Sequence, residues 1–184
     1  MKRLAPLPRA FYARDAETVA RALLGTVLVH RKNGAELCAR IVETEAYVGP
    51  HDLACHASRG RTRRTEVMFG EAGHAYVYLI YGMYRMLNVV TGEEGDPQAV
   101  LVRAAEPVSG VVGTTNGPGR LARAMSIEMA DNGVDLCAEA LFFARGARPR
   151  AIVETTRVNV DYAGEWAEKP LRFYDPASRW VSRK

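Results

Sequence analysis

Apolar residues recur along this chain with two different periods, and the change between them marks out its elements. From Asp15 to Gly25, Val19 and Leu23 stand four apart, the spacing of one helix face, with Asp15 placed to cap the first turn and Gly25 to stop the last. The period then falls to two. Residues 26–32 and 35–48 read as strands on either side of Asn33-Gly34, a pair suited to the left-handed backbone of a tight hairpin. Further strands are expected at 75–81, 86–91 and 99–105, followed by a short helix after Pro118 with Leu121 and Met125 on one face. Later strands are expected at 141–144, 151–160 and 171–174. Antiparallel neighbours joined by short turns, with few helices, predict an α+β fold: one domain on a curved antiparallel sheet. Nothing in the 184 residues reads as a repeat or linker, and residues 1–8, interrupted by Pro6 and Pro8, are expected to form a flexible N-terminal segment.

Two of these strands carry an unusual load. In the second, period-two alternation sets Val42, Thr44, Ala46 and Val48 on one face and Glu43, Glu45 and Tyr47 on the other. Two carboxylates beside an aromatic ring can sit in open solvent or line a cleft, and the large ring favours the cleft. In the strand at 75–81, Tyr76, Tyr78 and Ile80 oppose Val77 and Leu79, and Gly82 permits a sharp reversal that leaves Tyr81 at a protruding hairpin tip. β propensity alone explains many strand tyrosines. The functional alternative for Tyr81 is a wedge that enters a base stack and fills the gap left by an extruded nucleotide.

Composition narrows the setting. A hydrophobic share of 48% is that of a globular domain with a real core, and no apolar run approaches the ~20 residues of a membrane span. No signal-peptide core forms behind the basic N-terminus. Three cysteines, Cys38, Cys55 and Cys137, do not suggest a disulfide framework, so a soluble protein of a reducing cytoplasm is expected. The net charge is +4 and arginine far outnumbers lysine, whose only positions are 2, 32, 169 and 184. Guanidinium forks suit phosphate oxygens, although an arginine-rich composition also arises without any nucleic acid partner. Arg59, Arg61, Arg63 and Arg64, between His56 and the tyrosine strand, read either as a solvated loop or as a grip on phosphates flanking a bound nucleotide. His51, Cys55 and His56 are zinc-like in type, but no complementary ligand pair stands elsewhere; neither a metal nor another cofactor is expected.

These segments in this order, Glu43-Thr44-Glu45-Ala46-Tyr47, the isolated His56, Gly60-Arg61-Thr62 leading to Met68-Phe69, Tyr76-Val77-Tyr78 through Tyr81-Gly82-Met83-Tyr84 to Asn88, Ala163-Gly164-Glu165-Trp166-Ala167, and Lys169-Pro170-Leu171-Arg172-Phe173-Tyr174, closely resemble the alkyladenine (3-methyladenine) DNA glycosylases. The resemblance spans about residues 9–180. It implies a monofunctional hydrolase of base excision repair, without lyase activity, that flips alkylated purines or hypoxanthine out of duplex DNA and leaves an abasic site. By resemblance, Glu45 is the general base and Arg103 helps orient the attacking water. Tyr47, His56 and Tyr78 stack around the flipped base, Tyr81 fills the vacated stack, and Asn88 excludes guanine by clashing with its exocyclic amine. Lys169 and Arg172 join the phosphate contacts. The chain departs from the family pattern at Arg63, where members often carry proline, at Arg85-Met86 after the wedge, and in a shorter connection over residues 109–117.

The chemistry agrees with these roles. An alkylated purine carries positive charge and leaves readily, so one carboxylate to activate water suffices, together with rings that stack on an electron-poor base. The absence of lysine between Lys32 and Lys169 disfavours a Schiff-base lyase. Two other readings stand beside it: a non-catalytic duplex- or lesion-binding module, and a nucleoside hydrolase needing neither Tyr81 nor the arginine loop. The expected partner is double-stranded DNA, met by a monomer.

Overall fold

The computed structural model describes residues 4–184. Eight strands form one curled, mixed-length antiparallel sheet: β1 (Val27–Lys32), β2 (Ala35–Tyr47), β3 (Ala75–Ile80), β4 (Tyr84–Thr91), β5 (Gln98–Ser109), β6 (Leu141–Ala144), β7 (Val153–Thr155) and β8 (Arg172–Tyr174). The main path runs β3-β4-β5-β2-β1-β6, and β8 adds to β2 beyond the end of β1, with β7 outside it. Three short helices flank the sheet, α1 (Arg9–Tyr12), α2 (Ala16–Leu23) and α3 (Pro118–Ala124). This is the α+β architecture expected, hairpin included. No helix among the described residues is long and apolar enough to cross a membrane.

Local chemistry accounts for the elements. The Asp15 carboxylate accepts the Thr18 N–H at 2.8 Å and caps α2. The helix stops at Gly25, whose φ is 84°, and a β-carbon there would overlap the Ala147 carbonyl. Asn33 and Gly34 both take positive φ, 51° and 78°, closing the β1–β2 hairpin. Val19, Ala20 and Leu23 of α2 pack with Leu28, Ile41, Val102, Phe143 and Phe173 in the main core. Leu7 belongs to that core and its N–H donates to the Phe143 carbonyl at 2.8 Å, so the part of the 1–8 segment that is described is anchored rather than free; residues 1–3 lie outside the described residues.

Three departures from the sequence expectation matter for the site. The strand expected at 151–160 is reduced to β7, because the following residues leave the sheet to bond inward: Arg157 to Asp52, and the Val158 N–H to Glu45. The strand expected at 99–105 runs on to Ser109. The third is a register change between β2 and β5. Ile41 faces Ala105, Glu43 faces Ala104 and Thr44 faces Val102, which leaves Val42 on one strand and Arg103 on the other without a partner across the ladder. Such a bulge re-aims side chains. Val42, expected beside Thr44 and Ala46, instead packs with Ala104 and Val181, while the Thr44 hydroxyl donates to the Ala20 carbonyl on the α2 side.

Candidate active site

Glu45 is fully buried, and each of its contacts comes from a different piece of backbone. The Tyr47 hydroxyl donates to Oε2 at 2.9 Å and the Val158 N–H donates to Oε1 at 2.8 Å. Arg103 Nη1 lies 3.3 Å from Oε1. Tyr47, Arg103 and Val158 also line a cavity of roughly 500 Å³, so the carboxylate sits directly behind its wall. Burial, and next the Glu45 charge, push the Tyr47 phenol well above its ordinary range, which keeps it a hydrogen-bond donor.

Much of the remaining lining is aromatic. Tyr76, Tyr78 and Ile80 reach the cavity from alternate positions of β3, as period two requires, while Val77 turns into the main core. His56 joins them from a 3-10 turn, His56–Arg59. Its Nδ1 pairs with the Tyr76 hydroxyl at 2.9 Å and its ring meets Tyr78 edge-on, centroids 4.5 Å apart. Burial, then the charges of Arg64 and Arg59, lower its pKa from 6.5 to about 4. The ring is therefore neutral at physiological pH, and its burial favours folding fully above the unfolded value near 6.5. That contribution is lost as pH falls from 6.5 toward 4. An NMR titration of the His56 imidazole is expected to show a midpoint near 4, with denaturation midpoints falling over the same interval. A midpoint near 6.5 would mean that the ring is solvated.

Asn88, on β4, also lines the cavity. It is buried, and its Nδ2 donates to the carbonyls of Tyr76 at 3.1 Å and Met86 at 3.4 Å. Both amide hydrogens are thereby directed into the sheet, which leaves the carbonyl oxygen as the group it has to offer. At the mouth, the β3–β4 turn carries Tyr81 with 84% of its surface exposed, beside exposed Met83 and Tyr84. Tyr81 and Gly82 both have positive φ, 52° and 69°, and a bulky residue held there costs about 1–2 kcal/mol. Arg59, Arg61, Arg63 and Arg64 are all exposed, and Arg64 lines the cavity together with His56. Arg61 pairs with Glu66 at 2.6 Å, and Arg64 lies over the Tyr78 ring at 5.1 Å.

The model of the family described as methylpurine-DNA glycosylase matches residues 10–179. The chain belongs to that family. It is 59% identical over 179 residues to a protein of Anaeromyxobacter dehalogenans (strain 2CP-C), covering 96% of this chain and 86% of the relative. It is 51% identical over 179 residues to one of Legionella pneumophila (strain Corby), covering 96% and 98%. It is 50% identical over 192 residues to one of Methanocella arvoryzae, covering 97% and 96%. Each relative is provisionally named a 3-methyladenine DNA glycosylase. Membership places the chain among the DNA glycosylases, hydrolases of base excision repair.

Within this glycosylase, Tyr47, His56, Tyr78, Tyr81, Asn88 and Arg103 all line the one cavity, and Glu45 lies against it. Two positively charged residues proposed for phosphate contact differ from each other. Lys169 is exposed, near the Trp166 ring at 5.7 Å. Arg172 is not on the surface: it is buried, with its guanidinium on Glu43 at 2.8 Å and on the carbonyls of Thr156 and Arg183. Buried and paired in this way, Arg172 is an internal counter-ion of Glu43 rather than a surface cation. The zinc-like trio disperses, His51 packing on Trp166 and Cys55 turning toward the Pro97 carbonyl. Sequence reasoning missed Arg157, fully buried, paired bidentately with Asp52 at 2.5 and 2.8 Å and lying 4.8 Å behind the Tyr47 ring. No local signal links two residues 105 apart. Strand parity set Tyr76 beside Tyr78 without giving it a role, and Tyr162, 69% exposed at the cavity rim, was missed.

Proposed function

We propose that this family member flips an alkylated purine or hypoxanthine out of duplex DNA into the ring-lined cavity and hydrolyses its N-glycosidic bond. The observation that carries this reading is a fully buried carboxylate whose three partners, Tyr47, Arg103 and Val158, are themselves the cavity wall. Glu45 accepts a proton from water as that water attacks C1′, the C1′–N bond breaks, and its electron pair leaves with the base. A cationic alkylated purine then departs neutral, whereas hypoxanthine departs as an anion and takes a proton from solvent. Arg103 orients the water, and Tyr47, His56 and Tyr78 stack on the base, with His56 uncharged and so not repelling a cationic ring. Asn88 lines the cavity and excludes guanine by steric clash with its exocyclic amine. The residues lining the cavity include no lysine, in keeping with water rather than an amine as nucleophile, and hence with excision without strand cleavage. Arg59, Arg61, Arg63, Arg64 and Lys169 grip phosphates from the exposed rim. The protein acts as a monomer on the nucleoid in the cytoplasm.

The decisive experiment incubates the protein with duplex DNA holding a single hypoxanthine or alkylated adenine and measures free base. Release supports the reading; binding without release leaves a non-catalytic lesion-binding module. Release from free nucleosides alone would indicate a nucleoside hydrolase. Tyr81→Ala removes the exposed ring from the hairpin tip. It is expected to weaken lesion-duplex affinity by about 1–3 kcal/mol, the worth of one stacking ring. Fluorescence anisotropy at fixed salt checks this, and unchanged affinity would take the wedge role away from Tyr81.

A further inference from the structure

Behind Glu45 lies a second carboxylate that this mechanism does not use. Glu43 is fully buried, and its donors come from three separate parts of the fold. Its Oε1 accepts from Arg103 Nε at 3.2 Å and from Arg172 Nη1 at 2.8 Å, and its Oε2 accepts from the Ser182 N–H at 2.6 Å. The paired bulges of β2 and β5 create this neighbourhood, because Arg103 is the residue that the register leaves over.

Arg103 is consequently shared. Its Nε is on Glu43, its Nη2 donates to Ser182 Oγ at 3.3 Å, and only Nη1 reaches Glu45, at 3.3 Å. A guanidinium free to choose pairs bidentately with a carboxylate and occupies both oxygens. A base closed off in that way has less capacity to take a proton from water. The buried set also balances, two carboxylates against the guanidiniums of Arg103 and Arg172. Removing the charge of Glu43 leaves Arg103 with Glu45 as its sole anionic partner in this set.

We propose that Glu43 is a positioning residue for base excision: by holding Arg103 through Nε, it keeps that guanidinium from closing on both oxygens of Glu45 and so leaves the base a lone pair for the attacking water. The inference rests on the reading of Glu45 as the general base.

The test is single-turnover release of hypoxanthine or alkylated adenine from duplex DNA by Glu43→Gln, with lesion affinity measured in parallel. The rate is expected to fall roughly 10- to 100-fold, the scale of a misplaced catalytic group. Affinity is expected to stay within about twofold, because Glu43 touches no part of the proposed base subsite. In an Arg103→Met background the same substitution is expected to cost less than about twofold further, since the residue it acts through is gone. Ser182→Ala removes another tether of Arg103 with little risk to folding, and is expected to slow release in the same direction by roughly 3- to 10-fold. Should Glu43→Gln fail to fold, Ser182→Ala decides. A wild-type rate in the folded Glu43→Gln protein, or an equal further loss in the Arg103→Met background, overturns the inference. If Glu43→Gln were unaffected while Glu45→Gln is inactive, only this inference fails; release retained in Glu45→Gln removes the reading beneath it.

Discussion

Glu45→Gln is expected to lower base release by roughly 10²- to 10⁴-fold while lesion-duplex binding is retained, the loss associated with removing one general base. The amide keeps the shape of the side chain, so the Val158 N–H and Arg103 still have an oxygen to meet. What disappears is the capacity to accept a proton. The cavity walls, contributed by Tyr47, His56 and Tyr78, are untouched, and the base still has its stacking faces. Single-turnover kinetics beside anisotropy separate the two quantities. Parallel loss of affinity and rate would mean that Glu45 holds the site together, and unchanged release would take it out of the chemistry.

Asp52→Ala is expected to have the largest effect on stability. Arg157 is fully buried and paired to both oxygens of Asp52, and deleting the anion strands a guanidinium in the interior. Breaking a buried pair from one side costs about 3–5 kcal/mol. In a domain of this size that lowers the melting temperature on the order of 10 °C. The damage extends to the site, because Arg157 also donates to the Ala46 and Trp166 carbonyls and backs the Tyr47 ring. Lesion affinity is therefore expected to fall along with stability. Replacing Asp52 and Arg157 together by apolar residues of similar volume is expected to recover much of the loss, since no lone charge then remains. Urea denaturation of the two variants and the parent checks the order, and a single substitution as stable as the parent would mean that solvent reaches Arg157.

The elements that could be read from the chain are those whose determinants are local. Asp15 caps α2 through a hydrogen bond three residues away, Asn33-Gly34 turns a hairpin through its own backbone angles, and Tyr76, Tyr78 and Ile80 face one cavity because adjacent strand residues face opposite ways. The same parity put Glu43, Glu45 and Tyr47 on one face. It misplaced Val42, because a bulge is a property of two strands laid together and cannot be seen along either alone. The strand expected over 151–160 was shortened for a related reason. Its β-branched residues favour extension, but Arg157 and the Val158 N–H find buried anions far away in sequence, and those bonds outweigh a ladder at the sheet edge.

By itself, then, the sequence determined the two hairpins, the ends of α2 and which residue types were available for chemistry, since each depends on neighbours a few positions apart. The tertiary structure decided which charges meet: Arg172 became the internal partner of Glu43 instead of a surface cation, Arg103 came to lie between two carboxylates, and Arg157 locked onto Asp52. Burial explains the difference. Once water is excluded, a charge must find a counter-charge wherever the fold brings one, and sequence distance has no bearing on which partner that is.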